Sequence, residues 1–516
     1  MKAASEGAAG ARHAPPPGVW GLLPRMVCLG AVLLAGAALR IALLGEFRFH
    51  PDEALFATLA RLIVTGEDPL LGKTDLLVDK PPLFYYLLAL GVSLEWGSEL
   101  TARLPGLFAG VISIALTARL GWQLWRSDLA AIVAAGFVAF SPFAVGLSPT
   151  AFADPLMLAW VLGALVVVTG DPSPDVRWGV AGLLLGLASI TKQSGALFVP
   201  LAVGLGMTAA VDARTSPRDI ARWLVRLCAG FGVVLAAAFL WDLVRGAEVN
   251  VWSAGVAANN PHRLARSAEV WRRAAGWLRW ARYVTALPPL DAALTLLVGV
   301  TLSTAVLSRR MARGALGAVL IAAWVIAYAA LIWLVAFPLL DRYLLPLVPT
   351  LGLLLGWSLA AMGQGRWRLP SGRSTVASLG LLVIAVMLPQ AVRASRGAYP
   401  VGGDRGAYDG IDEVAAALRD LPAGSVVYYD SLGWPLAYYL YDALIYRAPV
   451  GSPAALAADL RTFGDTGDER VLVLPCAESH AEMLAAVRST GGDVEVLLTT
   501  ANRYGECTFT VYRLVP

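Results

Sequence analysis

The stretch Val78-Asp79-Lys80-Pro81-Pro82-Leu83-Phe84-Tyr85-Tyr86-Leu87-Leu88-Ala89-Leu90-Gly91-Val92-Ser93-Leu94-Glu95-Trp96-Gly97 decides how this chain threads a membrane. Its apolar run, 82–97, is about sixteen residues long, whereas a crossing helix needs about twenty. It opens on a Pro pair and carries Glu95 near its end. Irregular or re-entrant segments are tolerated at membrane depth where they line a cavity. The run is therefore expected to lie in the interface or re-enter rather than span.

Around it, apolar runs long enough to cross recur: 22–44, 103–124, 128–147, 155–170, 177–191, 195–211, 223–244, 286–307, 314–336, 340–362 and 374–392. The chain has 516 residues, of which 57% are hydrophobic and 15% charged, and its mean hydropathy is +0.64. Soluble proteins carry about 25% charged residues. These figures exclude a soluble multidomain enzyme, and four cysteines make no disulfide scaffold. With 82–97 not spanning, the Arg clusters 214/218/222, 309/310/313 and 366/368/373 all fall on the side favoured by the positive-inside rule. The expected fold is an α-helical polytopic membrane protein of about eleven transmembrane helices plus interfacial helices, with a small C-terminal α/β domain. Its parts are a disordered cytoplasmic lead (1–21), the transmembrane domain (22–395) and an extracytoplasmic domain (396–516).

This threading gathers several polar residues on one outer face. Phe49-His50-Pro51-Asp52-Glu53 follows the first span and places paired acids at a helix start. Acids there complement the helix dipole, or serve as a base or metal ligand. Lys80 precedes the short run and reads as a snorkelling anchor or as a working cation. Only four of the 41 basic residues are Lys: Lys2, Lys73, Lys80 and Lys192. A Lys kept against that Arg preference is a candidate for chemistry. Asp154, in Ser148-Pro149-Thr150-Ala151-Phe152-Ala153-Asp154-Pro155, is either an N-cap or a second acid of the same cavity. Lys192 sits between two apolar runs, where an ionisable group is a functional candidate. The loop 245–285 is rich in Arg and Trp around Asn259-Asn260-Pro261-His262-Arg263, and its second half reads as an amphipathic interfacial helix. Asp341-Arg342-Tyr343-Leu344-Leu345-Pro346 opens a late span.

Taken in order, the acid pair, Lys-Pro-Pro, Ala-Arg-Leu-Pro, Asp-Pro, Thr-Lys-x-x-Gly and Arg-Tyr-Leu-Leu-Pro resemble the GT-C superfamily of polyprenyl-phosphate-dependent glycosyltransferases. The nearest likeness is to the protein O-mannosyltransferase and aminoarabinose (lipid A) transferase branch, over roughly 20–395. The resemblance implies an inverting transfer of one sugar from a polyprenyl-phosphate donor to an acceptor hydroxyl or phosphate outside the cytoplasm. Asp52 would be the general base, with Glu53 and Asp154 as further catalytic acids. Lys80, Lys192, Arg263, Arg342 and Tyr343 would meet the donor phosphate. Asp79 and His262 match positions where aminoarabinose transferases can hold a divalent metal, but this chain carries Asp79 where those enzymes have Glu. The expected partners are the lipid donor, a lipid, glycan or protein acceptor, and the bilayer of the cell membrane; nucleic acid is not among them. Two rivals stay open. A lipid-linked sugar flippase would show midplane charges and internal repeats, and a glycan ligase would share the fold.

From Gly397 onward the chain carries sixteen acidic residues against eight Arg and no Lys. Short β-like runs alternate with helical ones, which implies a small, partly parallel sheet. Cys476 and Cys507 share this oxidising side, where a disulfide can form. Cys28 and Cys228 fall in apolar helices as packing residues.

Overall fold

A computed structural model of the protein describes residues 19–93, 98–170, 174–212, 215–259, 263–307, 313–363, 372–464, 466 and 469–515. Among these, seven helices are long and apolar enough to cross a membrane, in the stretches Arg25–Leu43, Glu99–Trp125, Pro217–Arg245, Pro288–Leu307, Gly314–Leu334, Asp341–Ala361 and Ser374–Ala394. The other four runs expected to span form the shorter helices Asp128–Phe140, Ala153–Val168, Pro174–Thr191 and Val199–Asp212, of 13 to 18 residues. Two of these are pieces of longer runs. Asp128–Phe140 resumes after Ser141 as Pro142–Leu147, and a 3₁₀ turn, Gln193–Phe198, leads into Val199–Asp212.

The first break follows from Pro142, which cannot donate into the preceding turn and clashes with it. The carbonyls this frees are met from another helix. Arg40 of the first span, fully buried, donates to Val138 O at 3.0 Å and Ala139 O at 3.1 Å, and through Nε to Ser148 Oγ at 2.9 Å. An unpaired arginine in an apolar bundle is costly unless its donors are used, and here they pin the broken helix and the turn that follows it.

The deciding stretch forms the helix Pro82–Val92, whose 11 residues extend about 17 Å, roughly half of the hydrocarbon thickness. It packs on the helix Pro51–Thr65 through Phe84 against Phe56, ring centroids 5.0 Å apart. Two further helices, Val251–Asn259 and Ser267–Ala281, share that end of the bundle with it. Ser267–Ala281 is amphipathic: Arg273 donates inward to the carbonyls of Ile332, Trp333, Val335 and Phe337, while Trp271 and Leu278 are exposed. That distribution suits a helix lying in the membrane interface.

Close approach of the Glu99–Trp125 helix to the Ser148–Asp154 turn needs glycine. A Cβ on Gly106 would lie 2.2 Å from Thr150 O, and one on Gly110 would lie 2.3 Å from Ser148 Oγ.

The C-terminal part is a five-stranded sheet of β1 (Val426–Tyr429), β2 (Tyr446–Pro449), β3 (Arg470–Pro475), β4 (Asp493–Ala501) and β5 (Cys507–Val515), in the order β2-β1-β3-β5-β4. β1 pairs parallel to β2 and β3, and β5 pairs antiparallel to β3 and β4. The partly parallel sheet expected from the sequence is present, with β2 at its edge. Its four residues include Arg447 and Pro449, and a proline is tolerated at a sheet edge. Cys476 and Cys507 are disulfide-bonded. The sheet layer rests on the loop after the first span: Phe49 N donates to Tyr439 Oη at 3.2 Å, Tyr439 donates to Glu99, and Arg61 donates to Tyr438 O at 3.0 Å.

Candidate functional site

The helix Pro51–Thr65 begins with a capping box that separates the two adjacent acids. His50 is the N-cap, and its Nδ1 accepts from Asp52 N at 3.0 Å. Glu53, three residues on, reaches back to accept from His50 N at 3.1 Å, satisfying two amides that the helix start leaves without partners. Glu53 is wholly buried and also accepts from Arg103 Nε at 3.1 Å, Arg103 Nη2 at 2.9 Å and Ala151 N at 2.8 Å. All its acceptor capacity is spent on protein. The expectation of Glu53 as a catalytic acid gives way, on this geometry, to a hub that joins three chain segments.

Asp52 is turned the other way. Its Oδ2 accepts from Arg342 Nη2 at 2.6 Å, and the Arg342 guanidinium lies 4.7 Å over the Phe152 ring. Burial alone would raise the Asp52 carboxyl, but the Arg342 charge outweighs burial and holds the group below the usual carboxylate range. Arg342 comes from the 3₁₀ turn Asp341–Leu344, which Asp341 braces by accepting from Arg342 N at 2.6 Å and from Gly402 N at 2.9 Å.

Asp154 falls inside the helix Ala153–Val168, whose N-cap is Phe152, so the N-cap alternative does not hold. Its Oδ1 accepts from Lys192 Nζ at 2.6 Å, and both side chains are buried. Lys192 stands in the turn before Gln193–Phe198, with its ammonium 4.6 Å over the Tyr343 ring. Burial lowers that ammonium to about 8, with the Asp154 carboxylate opposing the drop. Lys80 pairs with its neighbour Asp79 and lies 5.4 Å over the Phe56 ring.

Lys80, Lys192, Arg342 and Tyr343 line one cavity of about 390 Å³, closed on its apolar side by Leu197, Leu331, Ile332 and Phe337. Three cations from distant parts of the chain thus face a single space with greasy walls. Asn259 sits between them, donating to Asp79 Oδ2 at 3.2 Å and accepting from Tyr343 Oη at 3.3 Å. Gln193 donates to Asp79 O at 3.0 Å.

Two expected members are not in this group. Arg263 is exposed and paired through both terminal nitrogens with Glu269, at 2.6 and 2.9 Å, which fixes it at the start of the interfacial helix. His262 lies outside the described residues. Asp79 Oδ1 is buried without a partner, yet no group of three or more His, Cys, Asp or Glu side chains is gathered among the described residues.

Sequence reasoning missed three neighbours of Asp52. Phe152 supports Arg342. His50, in the quoted motif but passed over, caps the Asp52 amide. Asp404 Oδ2 lies 3.1 Å from His50 Nε2. Burial raises the Asp404 carboxyl. Nothing at Gly402-Gly403-Asp404-Arg405-Gly406 marks it beyond a turn, although it lies only two residues beyond the amide bound by Asp341.

Residues 79–241 match the family described as dolichyl-phosphate-mannose-protein mannosyltransferase. The undecaprenyl phosphate-alpha-4-amino-4-deoxy-L-arabinose arabinosyl transferase of Enterobacter sp. (strain 638) is 27% identical over 235 residues, 43% of this chain and 41% of that protein. The transferase of the same name from Pectobacterium atrosepticum is 24% identical over 178 residues, 33% of this chain and 32% of that protein. The alignments thus span less than half the length of these curated relatives. The crystal structure of ArnT from Cupriavidus metallidurans in the apo state superposes with a TM-score of 0.63 at 16% identity, covering 95% of this chain and 98% of that one. The same protein bound to undecaprenyl phosphate gives 0.60 at 15% identity, covering 96% and 98%. The chain has the ArnT fold, that of a multi-pass membrane protein, and the resemblance read from the motifs is borne out.

Proposed function

We propose that this protein is an inverting glycosyltransferase that moves one sugar from a polyprenyl-phosphate donor to an acceptor hydroxyl or phosphate on the extracytoplasmic face of the cell (inner or plasma) membrane. The observation that carries the reading is the cavity lined by Lys80, Lys192 and Arg342 with Asp52 at its Arg342 edge. A polyprenyl phosphate is an anion on a long apolar chain, and these walls match both halves of it. The ArnT structure of the same fold was determined with undecaprenyl phosphate bound, and the curated relatives are named for use of an undecaprenyl-phosphate sugar.

In the reaction the acceptor oxygen attacks the anomeric carbon from the face opposite the phosphate. The bond from that carbon to the phosphate oxygen breaks, and its electron pair leaves with the phosphate. Arg342 and the two lysines neutralise the charge that develops there. The acceptor proton passes to Asp52, whose Oδ2 is held by Arg342 while the other carboxylate oxygen remains for it. Single displacement inverts the anomeric carbon. Asp154 keeps Lys192 aimed past the Tyr343 ring, and Glu53 holds the turn that carries Asp52.

A flippase reading is less supported. The ion pairs at the cavity, Asp79–Lys80, Asp154–Lys192 and Asp52–Arg342, gather at the end of the bundle shared with the helices Val251–Asn259 and Ser267–Ala281. Purified protein in liposomes with a radiolabelled polyprenyl-phosphate sugar tests the proposal. Label should pass to an extracted envelope acceptor and be lost in Asp52→Asn. Movement of the lipid between leaflets without transfer would favour the flippase, and use of a nucleotide sugar alone would end the lipid-donor reading.

A further inference from the structure

The last apolar helix, Gly372–Ala394, does not hand directly to the sheet layer. The chain first runs as a strap from Ser395 to Gly410 across the Asp52 end of the site. It is tied down at Gly402 N by Asp341 at 2.9 Å, at Asp404 by His50 at 3.1 Å, and at Arg405, whose guanidinium lies 4.7 Å over the Tyr504 ring. Asp404 and Arg405 take positive φ values of 47° and 54°, a region that Asn and Asp enter more readily than most residues. The strap therefore spends backbone strain to present a carboxylate to His50.

The geometry points to Asp404 as a positioning residue for Asp52, acting through His50; this rests on the function proposed above. A neutral imidazole carries one ring proton, and the partner of one nitrogen decides which. The Asp404 carboxylate, 3.1 Å from Nε2, favours the proton there and leaves Nδ1 as an acceptor. Only that tautomer caps the Asp52 amide at 3.0 Å. The cap fixes the first turn of Pro51–Thr65, and with it the direction from which the Asp52 carboxylate meets Arg342. The same imidazole packs edge-on to Phe152, the ring beneath Arg342, at 5.5 Å. Without Asp404 both tautomers compete, and the cap is lost in a fraction of molecules.

Two measurements test this. Imidazole nitrogen NMR of histidine-labelled protein, with the His50 signal assigned by its loss in His50→Asn, reads the tautomer without any need for activity. The Nε2-protonated form is expected in the wild type and in Asp404→Asn, which keeps an acceptor, and a mixture in Asp404→Gly, which removes it while relieving the positive φ. An unchanged tautomer in Asp404→Gly would overturn the inference. In the transfer assay, Asp404→Gly should lower kcat about tenfold, since small misplacement of a reacting group costs up to about a hundredfold, and leave the donor KM unchanged. Asp404→Asn should stay near wild type. In the His50→Asn background, where Asn caps the amide with no tautomer to choose, Asp404→Gly should cause no further loss. An equal loss in both backgrounds would show a merely structural strap. A wild-type protein that transfers nothing from a lipid donor would defeat the proposed function but leave the tautomer result standing.

Discussion

Asp52 and Arg342 stand 290 residues apart in the chain and meet at 2.6 Å, one at the start of a helix and the other in a 3₁₀ turn that opens a span. This pair sits where the proposed base and the cation-lined cavity join. A carboxylate so paired remains ionised, which makes it a weak base but one always ready to accept. Weak basicity suffices where the acceptor proton becomes acidic late, as the new bond forms.

Replacing Asp52 by Asn removes the base while keeping the shape and the acceptor for Arg342. General-base contributions are typically about 10² to 10⁴-fold, so transfer should fall by that range. Because Asn keeps an acceptor for Arg342 but not its counter-charge, the melting temperature in detergent should fall, by less than in Glu53→Ala. Steady-state transfer and a thermal shift assay on the same preparation check both halves, and a large loss of stability would show the residue to be structural.

The pH profile should carry the mark of Lys192. Its folded value of about 8 lies below the ordinary lysine value, so the cation is present at neutral pH and disappears as pH rises through about 8. Donor KM should rise along that limb. On the acid side Asp52 stays ionised to below the usual carboxylate range, so activity should persist as pH falls toward it. Lys192→Arg keeps its charge at alkaline pH and should push the upper limb higher. A limb unmoved in that variant would assign it to another group.

Arg342 and Arg263 share one expected role, contact with the donor phosphate. The structure separates them, since Arg342 is buried against Asp52 and Arg263 is exposed on Glu269. Arg342→Gln should lower kcat/KM by at least about a hundredfold, in line with loss of a charge stabiliser. Arg263→Gln should leave it within about twofold, because exposed ion pairs contribute little. Initial rates at sub-saturating donor decide between them, and equal losses would return Arg263 to the site.

Much of this was legible because membrane sequences punish polar residues. Asp52, Lys80, Asp154, Lys192 and Arg342 each interrupt or border an apolar run, and such a break needs a reason. The short run after Pro81 could be read as non-spanning from length alone. What stayed hidden depended on partners far away in the chain. Glu53 is indistinguishable from Asp52 until Arg103 and Ala151 are seen to exhaust its oxygens. The pairing of Arg263 with Glu269 competes with a cavity the sequence does not draw. Asp404 lies in a turn of an apparently separate layer, and only the strap brings it to His50.

Glu53 and Arg103 supply the last prediction. Both are buried, joined through two hydrogen bonds at 2.9 and 3.1 Å, and Arg103 also donates to Phe47 O at 2.7 Å. Removing one member of such a pair leaves a buried charge without its counterpart, which typically costs about 3–5 kcal/mol. Glu53→Ala should therefore lower stability sharply and take activity with it, because the turn holding Asp52 and the one holding Ala151 come apart together. Replacing both, as Glu53→Gln with Arg103→Met, removes the two charges at once and should recover part of the lost melting temperature. A double-mutant cycle in detergent or nanodiscs measures the coupling. If Glu53→Ala melted like the wild type yet lost transfer, the residue would act on the substrate directly, and its place as a hub would have to be given up.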